Sequence, residues 1–152
     1  MAAKPIPEGF HTITPYLTVR GATKTIEFLK QAFGAETMFE PMKRPDGQIM
    51  HAQIKIGDSI LMLAEASAQY QPTQASFYLY VPDADASHKR AVASGATSTM
   101  APTDQFYGDR MGCVKDPSGN TWSVATHKED LSAAELKKRS EAFFKQQKDK
   151  AA

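Results

Sequence analysis

The chain has 152 residues, with 18 Lys and Arg against 17 Asp and Glu, a formal net charge of +1. Hydrophobic residues make up 41% and charged residues 23%, ordinary globular proportions that exclude a disordered chain and, with no basic stripe, a nucleic-acid-binding surface. No apolar run approaches the ~20 residues that span a bilayer, Met1 to Pro7 lacks the apolar core of a secretory signal, and the single Cys113 leaves no internal disulfide and no multi-cysteine zinc site, so a reducing cytoplasm is the expected compartment.

Taken in chain order, Ile13 to Val19 reads as the first strand. Leu17 and Val19 share one face; Thr14, Tyr16 and Thr18 share the other. Thr23 to Phe33 follows as a helix with Ile26, Leu29 and Phe33 as its apolar stripe, and Gly34 stands where a left-handed cap belongs. Glu36 to Glu40 is a short strand, and Arg44-Pro45-Asp46-Gly47 is a turn. Met50 to Ile56 alternates, with Met50, Ala52, Ile54 and Ile56 on one face and His51, Gln53 and Lys55 on the other. Ser59 to Ala64 is an apolar strand, and the polar stretch Glu65 to Ala75 is a linker.

The pattern then restarts. Ser76 to Val81 is a strand, Asp83 to Ser94 a helix, and Thr97 to Ala101, Arg110 to Lys115 and Thr121 to Ala125 are three further strands. Asp116-Pro117-Ser118-Gly119-Asn120 turns the chain before the last. Ser132 and Glu135 have capping-box spacing at the start of a final helix. Tyr16-Leu17-Thr18-Val19 returns 62 residues later as Tyr78-Leu79-Tyr80-Val81, and Gly34-Ala35 returns 61 residues later as Gly95-Ala96. A repeat with a common order of elements predicts an α+β chain of one domain over 1–152. Two β-α-β-β-β modules, 11–65 and 76–126, would form a partly closed eight-stranded sheet around a cavity, followed by a C-terminal helix over 131–148. A ferredoxin-like sandwich is the competing architecture, but it has fewer strands per helix.

Several stretches carry a family resemblance. They are Thr14 to Val19 running into Ala32-Phe33-Gly34-Ala35, then Met50-His51-Ala52 through Ile56-Gly57-Asp58-Ser59. The second half adds Asp104 to Arg110, Asp116 to Trp122 and Thr126 to Asp130. Together, from His11 to Glu141, these resemble the vicinal oxygen chelate superfamily of glyoxalases, ring-cleaving dioxygenases and bleomycin-resistance proteins, in its PhnB-like branch. The resemblance implies paired modules, a homodimer and a small-molecule ligand held in the concave sheet.

Metal-dependent members hold one divalent ion with side chains from four inward strand positions. Carried onto this chain, those positions fall on Thr14, on Leu61 or Met62, on Ser76 and on Ser123. Hydroxyl and thioether groups do not replace the imidazoles and carboxylates that such ions require, so no metal and no other cofactor is expected. Strand alternation then selects the ligand-contacting residues. Tyr16, His51, Met62, Tyr78, Tyr80 and Ser123 are expected on the cavity wall. Phe106, Tyr107 and Arg110 are expected on a rim loop, with Arg110 free for an anionic ligand group or tied to Asp109 as a structural anchor. His88 is expected on a helix surface, His127 as an anchor for the segment entering the last helix, and Cys113 as a buried, inert thiol. The last 22 residues form too narrow an apolar face for a membrane helix and are expected to pack on the domain or on a partner subunit. Three functions fit: a metal-free protein that binds an aromatic or partly apolar compound, a metal-dependent lyase or dioxygenase, and a metal-free enzyme using His51 or a tyrosine.

Overall fold

The computed structural model describes residues 3–151. The described residues form an α+β fold, with nine strands in two sheets and three helices. In the first half these are β1 (Tyr16–Val19), α1 (Ala22–Phe33), β2 (Glu36–Thr37), β3 (Met42–Lys43), β4 (Ile49–Ile56) and β5 (Ser59–Glu65). The second half has β6 (Ser76–Tyr80), α2 (Ala84–Ala93), β7 (Thr97–Asp104), β8 (Asp109–Lys115) and β9 (Thr121–His127), followed by α3 (Ala133–Ala151).

The duplication inferred from the sequence is present in register. β1 runs parallel to β5 with Tyr16 opposite Met62, and β6 runs parallel to β9 with Tyr78 opposite Ser123. Tyr16 and Tyr78 thus hold equivalent places in the two halves. The sheets are ordered β1-β5-β4-β2, with β3 also on β4, and β6-β9-β8-β7. They are not one continuous sheet, which corrects the expectation of a partly closed eight-stranded surface: β1 and β6 are both edge strands.

Why each helix forms is visible locally. The first backbone amides of α1 lack a capping side chain of their own, so Glu65 at the end of β5 accepts from Gly21 N at 2.9 Å and Ala22 N at 2.6 Å. A carboxylate there satisfies orphan donors and complements the helix dipole. Gly34 ends the helix at φ 66°, with its amide on Lys30 O and that of Ala35 on Leu29 O. Asp83 caps α2 by accepting from Ala86 N at 3.0 Å.

Each sheet turns one face to the helices. Leu17, Val19, Ala52, Ile54 and Leu63 bury that face of the first sheet under Ile26, Phe28 and Leu29 of α1, and Val114 and Trp122 do so in the second. The halves join through helix–helix packing, including Arg90 Nε donating to Ala32 O at 2.8 Å, and through the Phe33 and Phe77 rings, both against Trp122. Truncating Leu63, fully buried, to Ala would cost about 2–5 kcal/mol. The faces away from the helices are left open.

Several strands differ from their expected form. Pro15 leaves β1 to begin at Tyr16, and Ile13 is exposed. The strand expected over Glu36 to Glu40 stops at Thr37 before Pro41, and β3 resumes pairing on β4. A register shift there puts Ile49 rather than Met50 in the core. In β7, Met100 faces Cys113 and Thr103 faces Met111, so Ala101 and Pro102 bulge against Gly112. Pro102 is tolerated because β7 is an edge.

Candidate functional site

On the open face of the second sheet, strand alternation brings together Tyr78 and Tyr80 of β6, Ser123 and His127 of β9, and Asp109, Met111 and Cys113 of β8. The centre of this surface is Asp109, only 4% exposed. Its Oδ2 accepts from the hydroxyls of Tyr78 at 2.8 Å and Tyr80 at 3.1 Å, and its Oδ1 lies 2.8 Å from His127 Nδ1. The other imidazole nitrogen, Nε2, lies 2.8 Å from Oδ1 of Asp130. Tyr107 reaches in from the 105–108 loop, its hydroxyl 3.4 Å from that of Tyr78.

The ionisation of this network follows from its hydrogen bonds. Burial pushes the Asp109 carboxyl up, but bonds from His127, Tyr78 and Tyr80 more than offset it, so it sits below the ordinary value. His127 is raised by Asp130 first and Asp109 second. Burial and the bonds to Tyr107 and Asp109 push Tyr78 far above the ordinary phenol range; Tyr80 is raised mainly by its bond to Asp109. The cluster therefore holds an anionic Asp109, a readily charged His127 and neutral phenols.

A second aromatic group lies on the open face of the first sheet. Tyr16 and His51 have ring centroids 5.8 Å apart with Tyr16 Oη 3.3 Å from Nδ1, and Phe39 stacks on His51 at 6.2 Å. Met62 stands between Tyr16 and Gln53 in the sheet register. At the seam between the halves, an apolar recess of about 280 Å³ is lined by Ile13, Ile60, Leu61, Phe77, Tyr78 and Trp122 among others. Tyr78 belongs both to this recess and to the Asp109 network.

Of the residues selected from the sequence, Tyr78, Tyr80, Tyr107 and Ser123 share the second open face, while Tyr16, His51 and Met62 share the first. Phe106 is turned toward α3, its ring 5.0 Å from that of Phe143. Arg110 lies opposite Thr126, on the helix side of β8, where it binds Asp85 at 2.6 and 2.9 Å and Asp104 at 3.2 Å. The expected Asp109–Arg110 pair does not form: adjacent strand residues point to opposite faces. Cys113 is not a core residue; it faces the open side, with Sγ 3.5 Å from Met111 Sδ and 3.3 Å from Ser123 Oγ. His88 lies on α2, partly exposed, and bonds Ser98 Oγ at 2.9 Å. His127 does tie the segment that enters α3, through Asp130.

Sequence reasoning missed Asp109 and Asp130 as partners of the tyrosine face. Both omissions come from strand ends. Starting β8 one residue earlier, and extending β9 by two, puts Asp109 and His127 on the face of Ser123. The Asp-Pro-Ser-Gly-Asn turn has a structural role. Asp116 accepts from Trp122 Nε1 at 2.9 Å and from Ser118 N and Asn120 N, and Asn120 Oδ1 accepts from Ala75 N.

The four positions that correspond to metal ligands do not form a donor set. Thr14 Oγ1 bonds His11 O, Leu61 is buried, Met62 offers a thioether, Ser76 is exposed and Ser123 contacts Cys113. Among the described residues no three His, Cys, Asp or Glu side chains are placed to hold an ion. The residues present do not fit a divalent cation at that place.

Paired β-α-β-β-β modules with an open, aromatic-lined face define the class. The sequence profile of the Glyoxalase/Bleomycin resistance protein/Dioxygenase superfamily matches residues 9–124, and the chain belongs to that superfamily. It is 33% identical over 135 residues to an uncharacterized protein of Mycobacterium bovis, covering 82% of this chain and 88% of that one. Solved structures share the fold. TioX from Micromonospora sp. ML1 superposes with TM-score 0.63 at 23% identity, over 77% of this chain and 98% of that one. TnmS3, an antibiotic binding protein from Streptomyces sp. CB03234, gives 0.62 at 19%, over 83% and 100%.

Proposed function

We propose that the chain is a metal-free small-molecule-binding protein of the PhnB-like branch, and that it takes an aromatic or partly apolar ligand against its open sheet faces. The observation that carries this reading is the Tyr78–Tyr80 pair. Their ring centroids are 5.2 Å apart, and the residues are 43% and 63% exposed, yet both hydroxyls are anchored on a buried carboxylate. Exposed aromatic rings held in fixed positions form a stacking platform whose ordering cost is already met before a ligand arrives. The likeness to an antibiotic binding protein supports the same reading, and the unsuitable donor set at the metal positions speaks against ion-assisted lyase or dioxygenase chemistry.

The protein acts as a cytoplasmic homodimer in this reading. Tyr16 is 52% exposed on the first face and Tyr80 on the second, so neither face is covered within one chain. A partner copy that laid one kind of face over the other would enclose the ligand. The expected result of thermal-shift screening in the presence of a chelator is that flat aromatic compounds raise the melting temperature. The Tyr78→Ala and Tyr80→Ala variants should lose that shift. Dialysis against Zn, Ni, Mn or Fe followed by elemental analysis should leave less than stoichiometric metal; one ion retained per chain would contradict the reading.

A further inference from the structure

We infer that the second open face is a hydrogen-bond acceptor surface, selecting flat ligands that carry donors, an aromatic ammonium or amidinium above all. This deepens the small-molecule-binding reading and rests on it. The protons of the cluster decide its character. An ionised carboxylate can only accept, and a phenol has one proton to give. Asp109 Oδ2 takes the protons of Tyr78 and Tyr80, at 2.8 and 3.1 Å. With the Tyr78 proton committed inward, the 3.4 Å contact between Tyr78 and Tyr107 has Tyr107 as its donor. His127 has both ring nitrogens against carboxylates, Asp109 at 2.8 Å and Asp130 at 2.8 Å.

Every proton of the cluster is therefore spent within it. A ligand meets the remaining lone pairs of the phenol oxygens, and the fully exposed carboxylate of Asp130. With His127 charged, the two aspartates leave one net negative charge beside two aromatic rings, and both features attract a cation. The nearby cations are directed elsewhere. Arg110 binds Asp85 and Asp104 on the helix side, and Arg139 binds Glu129 and Glu135. Lys128 follows β9 and borders a recess with Asp85 and Arg110; with Arg139 it also borders a recess that reaches Asp109, but that one is lined by Asp104, Gln105 and Glu129 and not by Tyr78 or Tyr80. Lys115 shares the face but lies six residues along β8 from Asp109, roughly 20 Å away at the strand rise. The groups that face His127 are Asp109 of β8 and Asp130 of the linker, and Asp109 in turn faces the phenols of β6. Loss of the imidazolium proton at higher pH makes the surface more negative and should strengthen cation binding.

Isothermal titration with two probes of one shape tests this: 9-aminoacridinium, a cationic donor, and acridine-9-carboxylate, an anionic acceptor. The cation is expected to bind at least tenfold tighter, and its lead should widen as the pH rises through the His127 titration. The double variant Tyr78→Phe, Tyr80→Phe keeps the rings and the carboxylates but removes the phenol oxygens, and should reduce the preference. Asp130→Asn, on the surface and outside the core, should reduce it in a protein whose fold is unaffected. Equal affinity, preference for the carboxylate, binding of neither probe, or a preference unchanged in both variants overturns the inference. In those cases the binding-protein reading stands if other aromatics raise the melting temperature, and falls with it if none does.

Discussion

At the scale of single residues, Asp109 is the decisive one. Its burial would ordinarily favour the neutral acid, and three donors hold it ionised instead. Two opposite pH dependences follow. The Asp109 carboxyl lies below its ordinary 3.8, so its stabilising contribution is present above that value and lost as pH falls through the folded one. His127 lies above its ordinary 6.5, so its contribution is complete below 6.5 and lost as pH rises through the folded value. The network is therefore strongest between those two limits. Imidazole titration by NMR should place His127 above 6.5; Asp130→Asn should lower it most and Asp109→Asn less. Asp109→Asn should also cost about 2–3 kcal/mol in urea unfolding, because an amide cannot accept from three donors. A wild-type imidazole titrating below 6.5 would contradict this electrostatic account. None of this was legible from residue type alone. Asp109 in Gly-Asp-Arg reads equally well as a partner for its neighbour, and only strand parity separates the two.

At the scale of elements, the sequence was most informative where periodicity and caps agree. The stripe of Ile26 and Leu29, the Gly34 cap and the Ser132 cap on Glu135 N all stand as read. Phe28, fully buried, escaped because it lies off the i, i+3, i+7 stripe and fills the space beside Phe33. Irregular pairing escaped too, since a bulge depends on the partner strand. Gly112 shows this physically: a Cβ there would lie 2.9 Å from Pro102 N and 3.0 Å from its ring carbons. Gly112→Ala should therefore cost about 1–3 kcal/mol through displacement of β7, measured as a lower urea midpoint at unchanged slope. A neutral result would mean that the bulge yields freely. α3 has no buried residue and rests on the domain through the Phe106–Phe143 contact and the Arg139–Glu129 ion pair. The Phe106 contact fits the expectation that this helix packs on its own domain, and no described helix is long and apolar enough to cross a membrane.

For the whole molecule, the internal repeat was the most legible feature, because two copies of one order of elements constrain topology more than any single motif. The closure of the sheet was not legible. Whether two modules join edge to edge or through their helices depends on side chains such as Phe33, Phe77 and Trp122, which meet only in three dimensions. Helix-mediated joining leaves two tyrosine-bearing faces open, and the proposed function depends on that arrangement. Amide chemical-shift mapping with an aromatic compound that raises the melting temperature tests it most directly. The largest perturbations are predicted along β6, β8 and β9, at Ser76–Tyr80, Asp109–Lys115 and Thr121–His127; perturbations confined to α1 and α2 would contradict it.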